Sequence, residues 1–181
     1  MTAIPKVSRM ARLRPCRWFP VKLLFCLYLG ASLTPVSFAA SSLLHKDAPE
    51  FVRTDLKHQK LDLHAYRGKI VLLNFWATWC APCRLEMPRF VAWQNQYGPR
   101  GLQVIGISMD DDPALARKMF DKMKLNYPVA MGDEQLGILY GGVLGLPLTY
   151  LIDGQGRVQA LFQGETDLKQ IEKQFKPLLL P

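Results

Sequence analysis

Hydrophobic positions fall in two nearly unbroken runs, Ile70-Val71-Leu72-Leu73-Asn74-Phe75 and Leu102-Gln103-Val104-Ile105-Gly106-Ile107-Ser108. Short β-rich runs of this kind predict central strands covered on both faces. Between them, Pro82 to about Gln96 reads as a helix, with Leu85, Phe90, Val91 and Trp93 among its apolar residues. Pro88 removes one backbone donor inside it and predicts a kink. Phe51 to Leu63 alternates in two short pieces around Lys57-His58-Gln59-Lys60, a hairpin pattern. Asp112-Pro113 looks like an N-cap with proline in the first turn, and Leu115, Met119, Phe120 and Met123 give the next helix one apolar face. Pro128 to Met131 reads as a short extended piece and Gln135 to Tyr140 as a short helix. Leu148–Ile152 and Val158–Phe162 read as strands joined through Asp153-Gly154-Gln155-Gly156. A last helix opens at Thr166 and turns Leu168, Ile171 and Phe175 inward. The order β-α-β-α-β-β-α predicts an α/β fold, a mixed central sheet flanked by helices, with an N-terminal β-hairpin extension.

Ahead of these elements the pattern changes. A basic stretch over 1–22 leads into the apolar run Leu23 to Leu33, and small residues follow, ending Ser37-Phe38-Ala39-Ala40. This is the order of a secretory signal, with the best cleavage point after Ala39. A retained anchor is the rival reading, because Leu23 to Ala40 carries no charge over 18 residues. Residues 1–39 therefore read as a signal peptide or N-terminal membrane anchor, 40–50 as a polar linker and 51–181 as the folded domain. Either reading exports the domain, to the periplasm or the outer face of the cytoplasmic membrane. The 181 residues are 49% apolar and 21% charged, room for one well-buried domain and no sign of disorder. The net charge of +8 suggests nucleic acid only until it is divided. Lys6, Arg9, Arg12, Arg14, Arg17 and Lys22 belong to the leader, leaving 17 basic against 15 acidic residues. A domain so nearly neutral gives no reason to expect nucleic-acid binding.

Of four cysteines, Cys16 and Cys26 lie in the leader, and the domain keeps only Cys80 and Cys83. One close pair cannot staple distant parts of a fold, so it asks for a chemical explanation. Cys80-Ala81-Pro82-Cys83 falls where a strand gives way to a helix. There the free amides and the positive dipole end stabilise a thiolate on the first cysteine. Cys80 would attack a substrate disulfide and Cys83 would resolve the mixed disulfide. An inert disulfide and half a zinc site remain the alternatives. His45, His58 and His64 all precede the pair without finger-like spacing.

Asn74 to Pro88, reading NFWATWCAPCRLEMP, resembles the active-site segment of the envelope thioredoxin-like thiol–disulfide oxidoreductases of the TlpA/ResA/DsbE-like group. Gly145-Leu146-Pro147-Leu148-Thr149-Tyr150-Leu151-Ile152-Asp153 resembles that group's cis-proline segment, and the likeness runs from about Ala48 to Gly164. The resemblance implies a thioredoxin-like fold, a cis Pro147 beside the cysteines that aligns substrate backbone, and a reductase fed by a membrane electron carrier. It also implies protein thiol or disulfide substrates, cytochrome c maturation among the roles, and no cofactor or metal. The protein is expected to act as a monomer. Glu86, one turn beyond Cys83, is either a solvated helix residue or a carboxylate that tunes the thiols and passes a proton to Cys83. Cytoplasmic thioredoxins carry a buried aspartate where this chain has Asn74, which cannot titrate, and this directs interest to Glu86. Trp76 and Trp79 read as packing and a hydrophobic rim.

Two competing functions stay open. A peroxiredoxin-like thiol peroxidase fits Ala48-Pro49-Glu50-Phe51 and Arg67-Gly68-Lys69, although Thr78 stands two residues before Cys80 rather than three. A Cu(I)-binding metallochaperone would use Cys80 and Cys83 without a helper histidine. Asp110-Asp111-Asp112 reads as a solvated turn with an N-cap, Met119 and Met123 as core, and Lys118, Lys122 and Lys124 as a solvated face.

Overall fold

Strands β3 (Ile70–Trp76) and β4 (Leu102–Ser108) are buried at every position, as their unbroken apolar runs require. They pair in parallel at the middle of a five-stranded sheet. The computed structural model describes residues 43–180, so the leader expected over 1–39 lies outside the described residues. No helix among the described residues is long and apolar enough to cross a membrane. A hairpin of β1 (Val52–Thr54) and β2 (Lys60–Asp62) stands apart as its own antiparallel pair. Strands β5 (Val129–Met131), β6 (Leu148–Ile152) and β7 (Val158–Gln163) complete the sheet in the order β5-β4-β3-β6-β7. β5 runs parallel to β4, whereas β6 and β7 run antiparallel. At the β6–β7 turn, Asp153 Oδ1 accepts from the amides of Gln155 and Arg157 at 2.9 Å, and Gly156 takes φ +83°.

The alternation of side chains along β3 and β4 divides the core in two. Leu72, Trp76, Leu102 and Val104 face one cluster, with residues of helices α1 (Ala81–Tyr97), α2 (Pro113–Lys122) and α4 (Leu168–Phe175). Leu73, Phe75, Ile105 and Ile107 face the other, with Phe51, Leu61 and Leu63 and with Leu136 of α3 (Glu134–Leu139). The thioredoxin-like fold follows: a mixed sheet between helices, carrying an N-terminal hairpin.

Local differences have local causes. α1 continues through Pro88, which lies on its exposed face. α2 is capped by Asp112, whose Oδ1 accepts from the Ala114 amide at 2.8 Å. Its buried contacts are Ala116 and Phe120, one turn apart, so Leu115 points away and is exposed rather than part of the apolar face. Met119 and Met123 pack partly buried against the core, and Lys118, Lys122 and Lys124 are exposed. α4 opens at Asp167 rather than Thr166, and Leu168 is only partly buried. The described part of the segment read as a linker is not free. The His45 and Ala48 amides donate to the Val158 and Gly156 carbonyls, and Ala48 is buried. A polar composition concealed the backbone bonds that it makes with the residues leading into β7.

Candidate active site

β3 ends at Trp76 and the chain turns at once into α1, whose N-cap is Cys80. The Cys80 sulfur accepts a hydrogen bond from the Cys83 amide at 3.2 Å, filling the place that a serine or aspartate oxygen takes at other helix starts. Cys80 and Cys83 are joined in a disulfide with Cα atoms 5.3 Å apart. Cys80 is 4% exposed and Cys83 1%. A position at the strand-to-helix junction predicts an open thiol at Cys80. In the bonded state its sulfur is instead turned onto the helix end, and it keeps only the larger share of a small exposure. What would stabilise a Cys80 thiolate is therefore structural: an amide donor at the positive end of a 17-residue helix.

Glu86 is not on a solvated face. It is 5% exposed, and its Oε2 finds no hydrogen-bond partner. Burial raises its pKa from the ordinary 4.5 to about 7, helped by the charge of Glu165. Helical spacing sets Glu86 one turn beyond Cys83, on the same buried side as Met87 and Phe90. Asn74 is also buried, and its Nδ2 donates to Thr149 Oγ1 at 2.9 Å across the β3–β6 ladder, so it is tied into the sheet. The two tryptophans separate: Trp76 is fully buried, whereas Trp79, the residue before Cys80, is 70% exposed.

The Leu146–Pro147 bond is cis. Phe75 pairs with Leu148 in the antiparallel β3–β6 ladder, so the next step sets Pro147 level with Trp76, at the end of β3 that leads to Cys80. Leu146 packs partly buried against the cluster that holds both cysteines.

One member of the acidic run departs from its expected place. Asp111 and Asp112 are exposed, but Asp110 is buried, and its carboxylate reaches under the loop that precedes Cys80. It accepts from the Thr78 amide, the Thr78 hydroxyl and the Ser108 hydroxyl. Arg84 Nη1 meets the Thr78 carbonyl from α1 at 2.7 Å. Sequence reasoning misses Asp110, Thr78 and Arg84. Three adjacent aspartates carry no signal of which one turns inward.

A disulfide closed over the start of a helix that leaves the middle of such a sheet is the arrangement of thioredoxin-fold thiol–disulfide oxidoreductases, and this chain is one. It belongs to the AhpC/TSA family, which it matches over residues 44–161. It is 33% identical over 160 residues to the thiol-disulfide oxidoreductase ResA of Bacillus thuringiensis subsp. konkukian (strain 97-27), covering 87% of this chain and 92% of that protein. Identity is 36% over 133 residues with ResA of Bacillus cereus (strain ATCC 10987 / NRS 248), covering 74% of this chain and 77% of the relative. Among solved structures it is similar to a Chlorobium tepidum protein described as thiol:disulfide interchange protein DsbE. There the TM-score is 0.68 at 30% identity, over 73% of this chain and 94% of that one.

Proposed function

We propose that this oxidoreductase reduces disulfides of exported proteins outside the cytoplasmic membrane, with Cys80 as nucleophile and Cys83 as resolving thiol. The observation that carries the assignment is the 3.2 Å bond from the Cys83 amide to the Cys80 sulfur. A thiolate there is held by an amide and a helix dipole, whereas Cys83 lies one turn inside. The reduced Cys80 thiolate attacks one sulfur of the substrate disulfide. That S–S bond breaks, a Cys80–substrate disulfide forms, and one substrate thiolate leaves and takes up a proton. Cys83, giving its proton to the Glu86 carboxylate, then attacks the Cys80 sulfur. The Cys80–Cys83 disulfide closes, the second substrate thiolate leaves, and two electrons have passed to the substrate. A membrane dithiol donor restores the pair, and disulfides of cytochrome c maturation are among the substrates that the sequence resemblance implies.

Binding in this reading uses backbone and shape. Leu146, next to Pro147, offers its backbone to an extended substrate chain, and Trp79, the residue before the nucleophile, offers an exposed ring. Trp79→Ala should raise KM for a protein disulfide about tenfold while kcat stays within about twofold, the size of effect expected for an aromatic contact anchor. Steady-state insulin reduction measures both, and an unchanged KM would remove Trp79 from the binding surface.

The direction of electron flow is tested by equilibrating the protein with glutathione buffers. No cationic side chain separates the cysteines, and a buried carboxyl stands one turn from Cys83. Neither favours the thiolate pair of a strong oxidant. The Cys80–Cys83 couple should equilibrate near the roughly −270 mV of a thioredoxin, and a value near −120 mV would overturn the reductive assignment. The peroxidase alternative loses ground on one contact. The Thr78 hydroxyl donates to Asp110 at 2.7 Å, which commits its proton away from a peroxide at Cys80.

A further inference from the structure

Thr78 and Trp79 are the central residues of a tight turn closed by the Cys80 amide, which donates to the Ala77 carbonyl at 3.1 Å. Every polar group of Thr78 is engaged by a side chain from outside that turn. Its amide lies 3.0 Å from each Asp110 carboxylate oxygen, and its hydroxyl donates to Asp110 Oδ1 at 2.7 Å. Its carbonyl accepts from Arg84 Nη1 at 2.7 Å. Asp110 is 6% exposed and also accepts from the hydroxyl of Ser108, a residue fully buried at the end of β4. The turn is thus tied to the sheet through Asp110 and to α1 through Arg84.

A turn needs only its own closing bond. Burying a carboxylate costs free energy unless its lone pairs are used, and here three donors converge on it. What the arrangement secures lies at the end of the turn. Cys80 is two residues past Thr78, and its sulfur meets the Cys83 amide only while the turn delivers it onto the helix end. Trp79, fixed on one side by the Thr78 carbonyl and on the other by Cys80, is 70% exposed on the same turn.

We propose that Asp110 is a positioning residue for the Cys80 chemistry: with Arg84 it fixes the Ala77–Cys80 turn, so that the Cys80 sulfur stays on the Cys83 amide at the start of the helix. Asp110 touches neither the sulfurs nor a substrate and acts through Thr78. The inference rests on the assignment of Cys80 as nucleophile.

The test uses the full chain carrying Cys83→Ser, so that Cys80 is the single thiol of tryptic peptide 70–84. Alkylation of that peptide by iodoacetamide is followed by mass spectrometry as a function of pH. Thr78→Val deletes one bond to Asp110 and Thr78→Ser keeps it. Thr78→Val and Asp110→Asn should slow alkylation on the order of tenfold, the scale of a sub-ångström misplacement, and move its pH midpoint upward. Thr78→Ser and the neighbouring Asp111→Asn should stay within about twofold of the parent. A purely structural role would lower the melting temperature without moving the pH midpoint of the folded protein. Thr78→Val alkylating at the parental rate and midpoint overturns the proposal, and so does Thr78→Ser behaving like Thr78→Val. If Asp110→Asn does not fold, the Thr78 pair decides alone. Failure of the functional reading is separate: the protein with both cysteines would leave insulin disulfides intact, whatever the alkylation ratios.

Discussion

Cys83→Ser will halt turnover and leave the protein joined to its substrates. Cys80 keeps its place at the start of α1, where its sulfur caps the helix, so the first attack still proceeds. The serine hydroxyl cannot ionise in its place, so the second displacement has no nucleophile and the Cys80–substrate bond persists. Insulin reduction should fall on the order of a thousandfold or more, as when one member of a group acting together is removed. Non-reducing gels should show adducts that reductant releases, with the bond mapped to the peptide of residues 70–84. Cys80→Ser should trap nothing. Adducts through Cys83 in that variant, with none through Cys80 in the first, would reverse the two roles.

Glu86→Gln should abolish a large loss of stability between acid and neutral pH. The folded carboxyl keeps its proton to about pH 7, whereas the unfolded one releases it near 4.5. Below pH 4.5 both forms are protonated and the group is neutral to folding. As pH rises from 4.5 towards 7 the unfolded chain ionises freely while the folded chain resists, so stability falls over that interval and levels off once the folded carboxyl ionises as well. The loss is about 3 kcal/mol when complete, at about 1.4 kcal/mol for each tenfold difference between the two acid constants. Denaturant unfolding of the oxidised protein at acid and at mildly alkaline pH measures it. The parent should lose that much more than the Gln variant over the same interval. Equal losses would mean that the carboxyl is not held in its neutral form. The variant should also lose the inflection near neutral pH in the rate at which mixed disulfides resolve. A group half ionised there is suited to take the Cys83 proton.

What could be read in advance followed physical redundancy. β3 and β4 were legible because burial on both faces forces nearly every position to be apolar, and a seven-residue run leaves little room for error. The cysteine pair was legible as a pair because two residues of one type at one spacing stand out in a domain with no other cysteine, although the spacing alone left an inert disulfide and half a zinc site open. Glu86 was legible as a candidate but its burial was not, since a charged residue in a helix is usually solvated, and only the packing of α1 on the sheet shows it turned inward. Asp110 failed for a related reason: its burial depends on a loop 32 residues away offering an amide and a hydroxyl. Leu115 and Ala116 show the limit on a helix face. A rotation of one residue exchanged a large apolar side chain for a small one, and hydrophobicity alone favours the wrong member of the pair.

The bonds from residues 45–48 to Gly156 and Val158 also settle where the domain can be held. Gly156 lies in the β6–β7 turn and Val158 opens β7, and β6 aligns Ile152 with Val71, at the start of β3. The cysteines follow the other end of that strand, whose seven residues span roughly 20 Å. An affinity handle or a surface linkage joined directly to the described domain at Leu43 would therefore be attached at the pole away from the sulfurs. Immobilising the domain 43–181 from that point should leave the thiol face open to large partners, and a handle fused there needs no removal before substrates are captured.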